Sequence, residues 1–250
     1  MKSIIICEGE TDFAFLQHFM KKVNGWTDSK QKPNPSFISS VDNSRSRDFI
    51  KNADMLTIIS CGGCGNIKTV FEEVIRKNQN EIFDEERYSK IVILTDNDDT
   101  GIEAKIISDL NAASGNSTQI KNNTWTDLSF TDATQNQFTS QLLLLIIPFD
   151  ENGALETFLL SSIAKQDEYE SQIIKKSYDF VEHADPEKKH IEGRSFKIKA
   201  VFYAYFAICI EPSKKQFSQR DAIFKSVPWE QYENIRDCFK ELRNLQETIK

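Results

Sequence analysis

The sequence has no apolar run that approaches the roughly 20 residues needed to cross a bilayer. Its first residues lead directly into a strand-like run, with neither a signal-peptide nor a transit-peptide pattern. The five cysteines are an odd number scattered through apolar and glycine-rich contexts, which is not the pattern of a disulfide framework. These absences lead us to expect a cytoplasmic protein that does not associate with membranes.

Positive charge is also scarce. The 31 Lys and Arg residues are outnumbered by 38 Asp and Glu residues, which gives a formal net charge of −7 and argues against a general polyanion-binding surface. A nucleic-acid enzyme is not excluded, because a local basic stripe can supply the phosphate contacts and a deep acidic site would itself contribute to this balance. The length of 250 residues and the 39% hydrophobic content allow one large domain or two small ones.

Four apolar runs predict β-strands. They are Ile4–Cys7, Met55–Ser60, Lys90–Thr95 and Leu142–Pro148. Helical patterns alternate with them, and strands that are apolar on both faces are typical of a parallel sheet covered on both sides. We therefore predict an α/β core over residues 1–150, in which residues 24–54 and 111–140 are polar excursions without an assigned role.

Beyond Asn152 the pattern changes to helices. Apolar residues recur at helical spacing over residues 154–163, 169–181 and 196–210, and a last helix is predicted to carry a stripe from Trp229 to Leu245. We expect residues 151–250 to form a helical C-terminal region packed on the core.

Acidic residues follow two of the predicted strands, Glu8 the first and Asp96 to Asp99 the third. The carboxyl ends of strands are where open α/β sheets build their ligand sites. Asp96 and Asp98 are two apart, so both carboxylates point to one side of an extended backbone. Like charges about 4 Å apart cost on the order of 4 kcal/mol at an effective dielectric of 20, so converging acids favour a hard cation such as Mg²⁺ or Mn²⁺.

The alternative is that Asp98 or Asp99 merely caps the following helix. Thr100 and Glu103 already have the capping-box form, with Thr at the N-cap and Glu three residues later. We therefore favour the cation site.

The first strand ends in Glu8-Gly-x-x-Asp12, and about 90 residues later another apolar strand ends in Asp96-x-Asp98. Together these two motifs resemble a Toprim domain, the metal-dependent module of topoisomerases, DnaG-type primases, OLD-family nucleases and small RNA-maturing nucleases. The resemblance covers Lys2 to about Pro148 and implies a Toprim-like (Rossmann-like), mostly parallel four-stranded sheet flanked by helices. It implies Glu8 as a metal ligand or general acid/base and Asp96 and Asp98 as Mg²⁺ ligands. It also implies Gly9 as a tight-turn glycine and Asp12 as a supporting acid, and Asp99 stands beside them as a further candidate ligand.

A third segment, Gly153-Ala-Leu-Glu156, is similar to the Gly-x-x-Glu segment of the OLD-like subgroup, where an additional acid can support a second metal. The alternative is that Glu156 is an ordinary first-turn acid favoured by the helix dipole. The whole chain resembles small uncharacterised bacterial Toprim-like proteins.

The segment that follows the second strand is glycine-rich. It is a near miss to a P-loop, because Ile67 stands where that motif needs glycine before the lysine. Cys61-x-x-Cys64 has no second Cys/His pair nearby, which disfavours zinc and leaves a redox role as the alternative. We favour a structural loop in which Gly62 and Gly63 let the backbone approach phosphate or the neighbouring metal site.

The densest basic stretch is either a phosphate-tracking patch beside the metal site or a solvated helix face. Its members are Lys188, Lys189, Arg194, Lys197 and Lys199. The three histidines, in contrast, lack a matching nucleophile or metal spacing.

Together these residues predict a Mg²⁺-dependent nuclease or related phosphodiester-processing enzyme that acts on DNA or RNA, with Glu8, Asp96 and Asp98 as catalytic residues. Because a Walker A motif is lacking, the alternative is a non-catalytic nucleic-acid- or partner-binding module that works with a separate ATPase in trans. A nucleotide-binding enzyme that uses the same cation site is a third, weaker possibility. The sequence carries no signal for the oligomeric state.

Overall fold

The structure is a computed structural model that describes residues 1–29, 44–115, 119–187, 189–209 and 220–246. Its strands are β1 Lys2–Cys7, β2 Thr27–Asp28, β3 Arg45–Lys51, β4 Asp54–Ser60, β5 Tyr88–Asp96, β6 Trp125–Thr131 and β7 Gln137–Ile147. Its helices are α1 Glu10–Lys22, α2 Ile67–Asn80, α3 Ile102–Ser114, α4 Leu155–Gln166, α5 Glu168–Ala184, α6 Gly193–Cys209, α7 Arg220–Ser226 and α8 Glu233–Cys238.

The strands form one seven-stranded sheet in the order β2-β3-β4-β1-β5-β7-β6. The predicted α/β class is confirmed, and the four predicted strands pair in parallel as β4-β1-β5-β7. The predicted four-stranded sheet is wrong, because β2 and β3 extend it on one side and β6 on the other, all three in antiparallel pairings. These strands come from the two polar excursions, of which residues 30–43 and 116–118 lie outside the described residues.

Residues that alternate along the central strands supply two separate cores. Ile5 and Val92 face α1 and the C-terminal helices, whereas Ile4 and Ile93 face α2 and α3. The period of two along a strand therefore explains why these runs are apolar throughout, since both faces of the sheet are covered.

The described helices of the C-terminal region share one hydrophobic cluster with α1 and with one face of the sheet. Phe15 of α1 lies against Trp229, with ring centroids 5.2 Å apart and nearly perpendicular planes, and against Phe239 at 5.1 Å. This packing fixes α1 relative to the C-terminal helices. The division of the chain at residue 150 stays a prediction.

The predicted last helix is broken. A 3₁₀ turn at Trp229–Gln231, the short helix α8 and a second 3₁₀ segment at Lys240–Leu245 replace it. The apolar stripe is still buried, because Trp229 and Leu245 are fully enclosed. Burial therefore follows the apolar pattern here although continuous helix does not. The predicted end of the preceding helix, Ile210, lies outside the described residues. No helix in the described part of the chain is both long and apolar enough to cross a membrane.

Candidate functional site

A crevice lies between β1 and β5, because the helices that follow these two neighbouring strands lie on opposite faces of the sheet. After β1 the chain enters α1 on one face of the sheet, and after β5 it enters α3 on the other face. In open α/β sheets such a point, outside the carboxyl ends of the strands, is the usual place for a ligand. Glu8 directly follows β1 and Asp96 ends β5, so both lie at this position.

A cavity of about 370 Å³ opens at the crevice, and five acidic residues line it, of which Glu10 forms an ion pair with Arg45 at 2.9 Å. Glu8 and Asp96 come from the strand ends, Asp12 from the first turn of α1 and Glu156 from the first turn of α4. Asp12 is 4% exposed and Glu156 is 2% exposed. The fold therefore brings together acids from three separate segments of the sequence.

Short hydrogen bonds fix three of these carboxylates. Glu8 Oε2 accepts a hydrogen bond from Thr95 Oγ1 at 2.8 Å, and Asp12 Oδ2 accepts one from the Gly9 N–H at 2.7 Å. Asp96 Oδ1 accepts one from the Leu155 N–H at 2.9 Å, which ties the end of β5 to the start of α4. Each of these bonds uses one oxygen of its carboxylate.

Burial and mutual repulsion raise the pKa values of Asp12 and Asp96. Desolvation, followed by the nearby Glu156 carboxylate, raises the pKa of Asp12 to about 8. Desolvation and the negative charges of Asp12, Glu8 and Glu156 also raise the pKa of Asp96 well above its ordinary value. At neutral pH the uncharged form of Asp12 is therefore favoured in the absence of a compensating cation.

The acids beyond Asp96 lie outside this cavity. Asp98 and Asp99 are exposed, and Asp99 accepts a hydrogen bond from the backbone N–H of the next residue at 2.7 Å. The strand β5 ends at Asp96, and Asn97 forms an isolated bridge with Gly153 before the chain turns towards α3. Asp98 therefore does not join Asp96 in lining the cavity.

The start of α3 also differs from the predicted capping box. Gly101 is the N-cap residue and has a φ of 85°, and no side chain caps the helix. The box predicted for Thr100 and Glu103 is therefore wrong. A left-handed N-cap favours glycine, so Gly101 takes this position and Thr100 lies one residue before it.

Two of the three predicted loop glycines have positive φ angles, which glycine adopts more readily than other residues. Gly62 has a φ of 72° and Gly63 a φ of 136°, and both line the cavity. The Gly63 N–H donates to the Glu8 carbonyl at 2.9 Å, which joins the loop after β4 to the acid after β1. Gly9 differs, because its φ of −128° is open to any residue and an added Cβ would lie 3.5 Å from Asp12 Oδ2.

Replacing Gly63 with alanine should therefore destabilise the fold. We expect a loss of about 1–3 kcal/mol in the free energy of unfolding, because the conformation of Gly63 strains any L-residue. Urea unfolding would measure it. The matched control is Gly65→Ala in the same loop, where an added Cβ meets nothing within 4 Å. Equal losses in the two variants would contradict the assignment of the effect to the Gly63 backbone.

Of the predicted basic residues, Lys199 reaches the cavity. It lines the cavity together with Tyr203, and its charge lowers the pKa of Asp12. Lys189 forms an ion pair with Glu187, and Lys197 forms one with Glu182 on α5. Lys188 and the side chain of Arg194 lie outside the described residues.

The cysteines near the cavity have raised pKa values. Burial, aided by the carboxylates of Glu8 and Asp12, raises the pKa of Cys61 to about 12. Burial and the Glu8 carboxylate also raise the pKa of Cys64. A redox cysteine reacts as its thiolate, so this environment disfavours the redox alternative for Cys61-x-x-Cys64.

The carboxylates of the cavity are chemically suited to a hard cation, but their present arrangement is not that of a metal site. Within the described residues, no group of three or more His, Cys, Asp or Glu side chains is arranged to hold a metal ion. Carboxylate oxygens are nevertheless the ligands that Mg²⁺ and Mn²⁺ prefer, and a cation would relieve the repulsion that raises the pKa values of Asp12 and Asp96. A cation here would require side-chain rotation.

Three residues of the site were not found by sequence reasoning. Thr95 donates to Glu8, Asn97 donates through Nδ2 to the Pro148 carbonyl at 2.9 Å, and Tyr203 lines the cavity. Thr95 and Asn97 flank Asp96, so their position at a strand end was a usable signal. Tyr203 had none, since only the packing of α6 brings it to the cavity.

Comparison with known proteins identifies a family and a fold. A family model described as "Protein of unknown function (DUF3226)" matches residues 2–244. The crystal structure of the hypothetical protein PH0156 from Pyrococcus horikoshii OT3 is similar, with a TM-score of 0.52 and 14% sequence identity over 98% of each chain. At that identity the similarity concerns the fold alone. A search of curated proteins found no match.

Proposed function

The chain belongs to the DUF3226 family of proteins of unknown function, and we propose that it is a Mg²⁺-dependent nuclease or related phosphodiester-processing enzyme of Toprim type. The observation that carries the proposal is the convergence of Glu8, Asp12, Asp96 and Glu156 on one cavity at the divergence point of the sheet. Carboxylates spread over separate segments are costly to bury together, so their shared location favours a function over a structural role.

This arrangement supports the Toprim resemblance through one acid of each of its three segments. Glu8 follows β1 and Asp96 ends the neighbouring parallel strand β5, and Glu156 lines the same cavity from α4. These residues, with Asp12, would hold Mg²⁺ or Mn²⁺. Such a cation would supply polarisation of the phosphate and a lower pKa for a bound water.

The chain's own residues contribute positioning. The Leu155 N–H holds one oxygen of Asp96, and the Thr95 hydroxyl holds one oxygen of Glu8, so each carboxylate is anchored through one oxygen. Lys199 lines the same cavity from α6 and offers a positive charge to a substrate phosphate. The cavity therefore combines carboxylates for a cation with a basic group for the phosphodiester.

A cleavage assay tests the proposal. The protein is incubated with end-labelled single- and double-stranded DNA and RNA in Mg²⁺, in Mn²⁺ and in EDTA. We expect cation-dependent cleavage of at least one substrate, with none in EDTA. The double variant Asp96→Asn/Glu156→Gln is prepared in parallel to report contaminating nuclease. Cleavage by the wild-type protein that does not exceed that of this variant would refute the proposal.

The second candidate is a nucleic-acid- or partner-binding module that works with a separate ATPase. The observation in its favour is that no ready metal-ligand set exists in the described part of the chain. Tight oligonucleotide binding with no cleavage under any cation, and gain of cleavage only after addition of an ATPase partner, would distinguish it from the enzyme.

A further inference from the structure

We propose that the cavity takes one unpaired nucleotide of a single-stranded nucleic acid, with its phosphate at Lys199 and its base against the ring of Tyr203. This inference rests on the proposed function, because it names the substrate class of the same site. It adds single-strand selectivity and a base-contacting residue, Tyr203, which the acidic motifs do not indicate.

The spacing on α6 supplies the first part of the argument. Lys199 and Tyr203 are four residues apart on one helix and both line the cavity, and residues at that spacing are neighbours on a helix surface. A cation and an aromatic ring are therefore presented side by side. Tyr203 is 38% exposed, and its ring makes an edge contact with Phe202 at 5.8 Å, which supports it from α6 itself.

A cation beside an aromatic face is the combination by which proteins hold single-stranded nucleic acids. The cation contacts the backbone phosphate, and the ring stacks on a base. Any base offers a π-face, so the arrangement predicts little sequence preference. DNA and RNA share this chemistry, and the binding assay separates them.

The size of the cavity argues against a duplex. Its volume of about 370 Å³ is near the lower end of the range for small-molecule sites, so it can enclose a nucleotide but not paired strands. Charge leads to the same conclusion. A duplex would bring a dense row of phosphates against the acidic residues of the cavity, whereas one inserted nucleotide can place its single phosphate at Lys199.

Fluorescence anisotropy tests the inference with three labelled probes, namely oligo-dT, oligo-U and a blunt DNA duplex. Binding is measured in EDTA and in Ca²⁺. We expect at least one single strand to bind about tenfold or more tightly than the duplex. Tyr203→Leu should weaken that binding about fivefold or more, the lower range for loss of one stacked base, while Tyr203→Phe should stay within about twofold because the ring remains.

Lys199→Gln tests the phosphate contact. Loss of one phosphate contact with a single strand should reduce the slope of log affinity against log salt by about 0.7. The matched controls are Lys197→Gln on the same helix, which pairs with Glu182, and Tyr178→Leu, a tyrosine of α5 that is 37% exposed. Circular dichroism verifies the fold of each variant.

Duplex binding as tight as single-strand binding, unchanged binding in Tyr203→Leu, or equal losses in the two controls would overturn the inference. Its failure is separable from that of the proposed function. Cleavage that depends on Asp96 with unaltered binding in the Tyr203 and Lys199 variants would refute the nucleotide site alone. Selective binding that depends on Tyr203, without cleavage in any cation, would refute the nuclease alone.

Discussion

Replacing Asp96 with asparagine is expected to lower phosphodiester cleavage about 100-fold or more, the usual loss when a group that acts directly on the reaction is removed. Asp98→Asn is expected to retain most of the activity. Both substitutions remove one negative charge from the same acidic segment, and they differ in where the side chain lies. Asp96 lines the cavity beside Asp12, Glu8 and Glu156, whereas Asp98 is exposed and outside it.

The Asp96 variant should remain folded. Asparagine keeps an oxygen that can accept the hydrogen bond from the Leu155 N–H, so the link between β5 and α4 persists. Steady-state cleavage rates, with thermal unfolding of both variants, measure the two effects separately. Equal losses of activity in Asp96→Asn and Asp98→Asn would contradict the geometric distinction and restore Asp98 to the ligand role that the Toprim resemblance implies.

The parts of the fold that the sequence predicted are those that depend on burial. The four central strands are apolar on both faces, and such runs are visible without any partner. The strands β2, β3 and β6 were missed because they are short or polar on one side. In β6 the buried residues Thr126, Leu128 and Phe130 alternate with exposed ones, and this period of two was a usable signal within a segment rich in Thr and Asn.

The site could likewise be predicted only in part. Glu8 and Asp96 could be placed together because the carboxyl ends of neighbouring parallel strands meet at one edge of the sheet. The position of Asp98 could not, because it lies beyond the end of β5, where the path of the chain depends on the contact of Asn97 with Gly153. Tyr203 depends on how α6 packs, which a local pattern does not contain.

Burial of the Asp12 carboxylate lowers the stability of the folded protein in a pH-dependent manner, and this cost can be measured. The pKa of Asp12 is raised to about 8 in the folded protein, from an ordinary value of 3.8. Between these pH values the folded state binds more protons than the unfolded state, so stability falls as the pH rises. Above pH 8 the carboxylate is charged in both states, and the full cost of burying that charge remains.

Asp12→Asn should therefore stabilise the protein in a pH-dependent manner. Asparagine can still accept the hydrogen bond from the Gly9 N–H but never ionises. We expect a gain of about 2 kcal/mol in the free energy of unfolding at pH 9, which is below the full linkage value because buried charges are relieved by local relaxation. At pH 5 the gain should be small. Urea unfolding at pH 5, 7 and 9 measures it.

The Asp12→Asn variant also tests whether Asp12 binds Mg²⁺. If the acids hold a cation, Mg²⁺ should stabilise the wild-type protein at pH 9 more than Asp12→Asn, because binding to the folded state adds to its stability and the variant lacks one carboxylate. Glu103→Gln, which removes an exposed acid of α3, is the charge-matched control. A comparable pH-dependent gain in Glu103→Gln would attribute the effect to net charge and contradict the assignment to Asp12. Equal Mg²⁺ stabilisation of the wild-type protein and Asp12→Asn would remove Asp12 from the proposed ligand set.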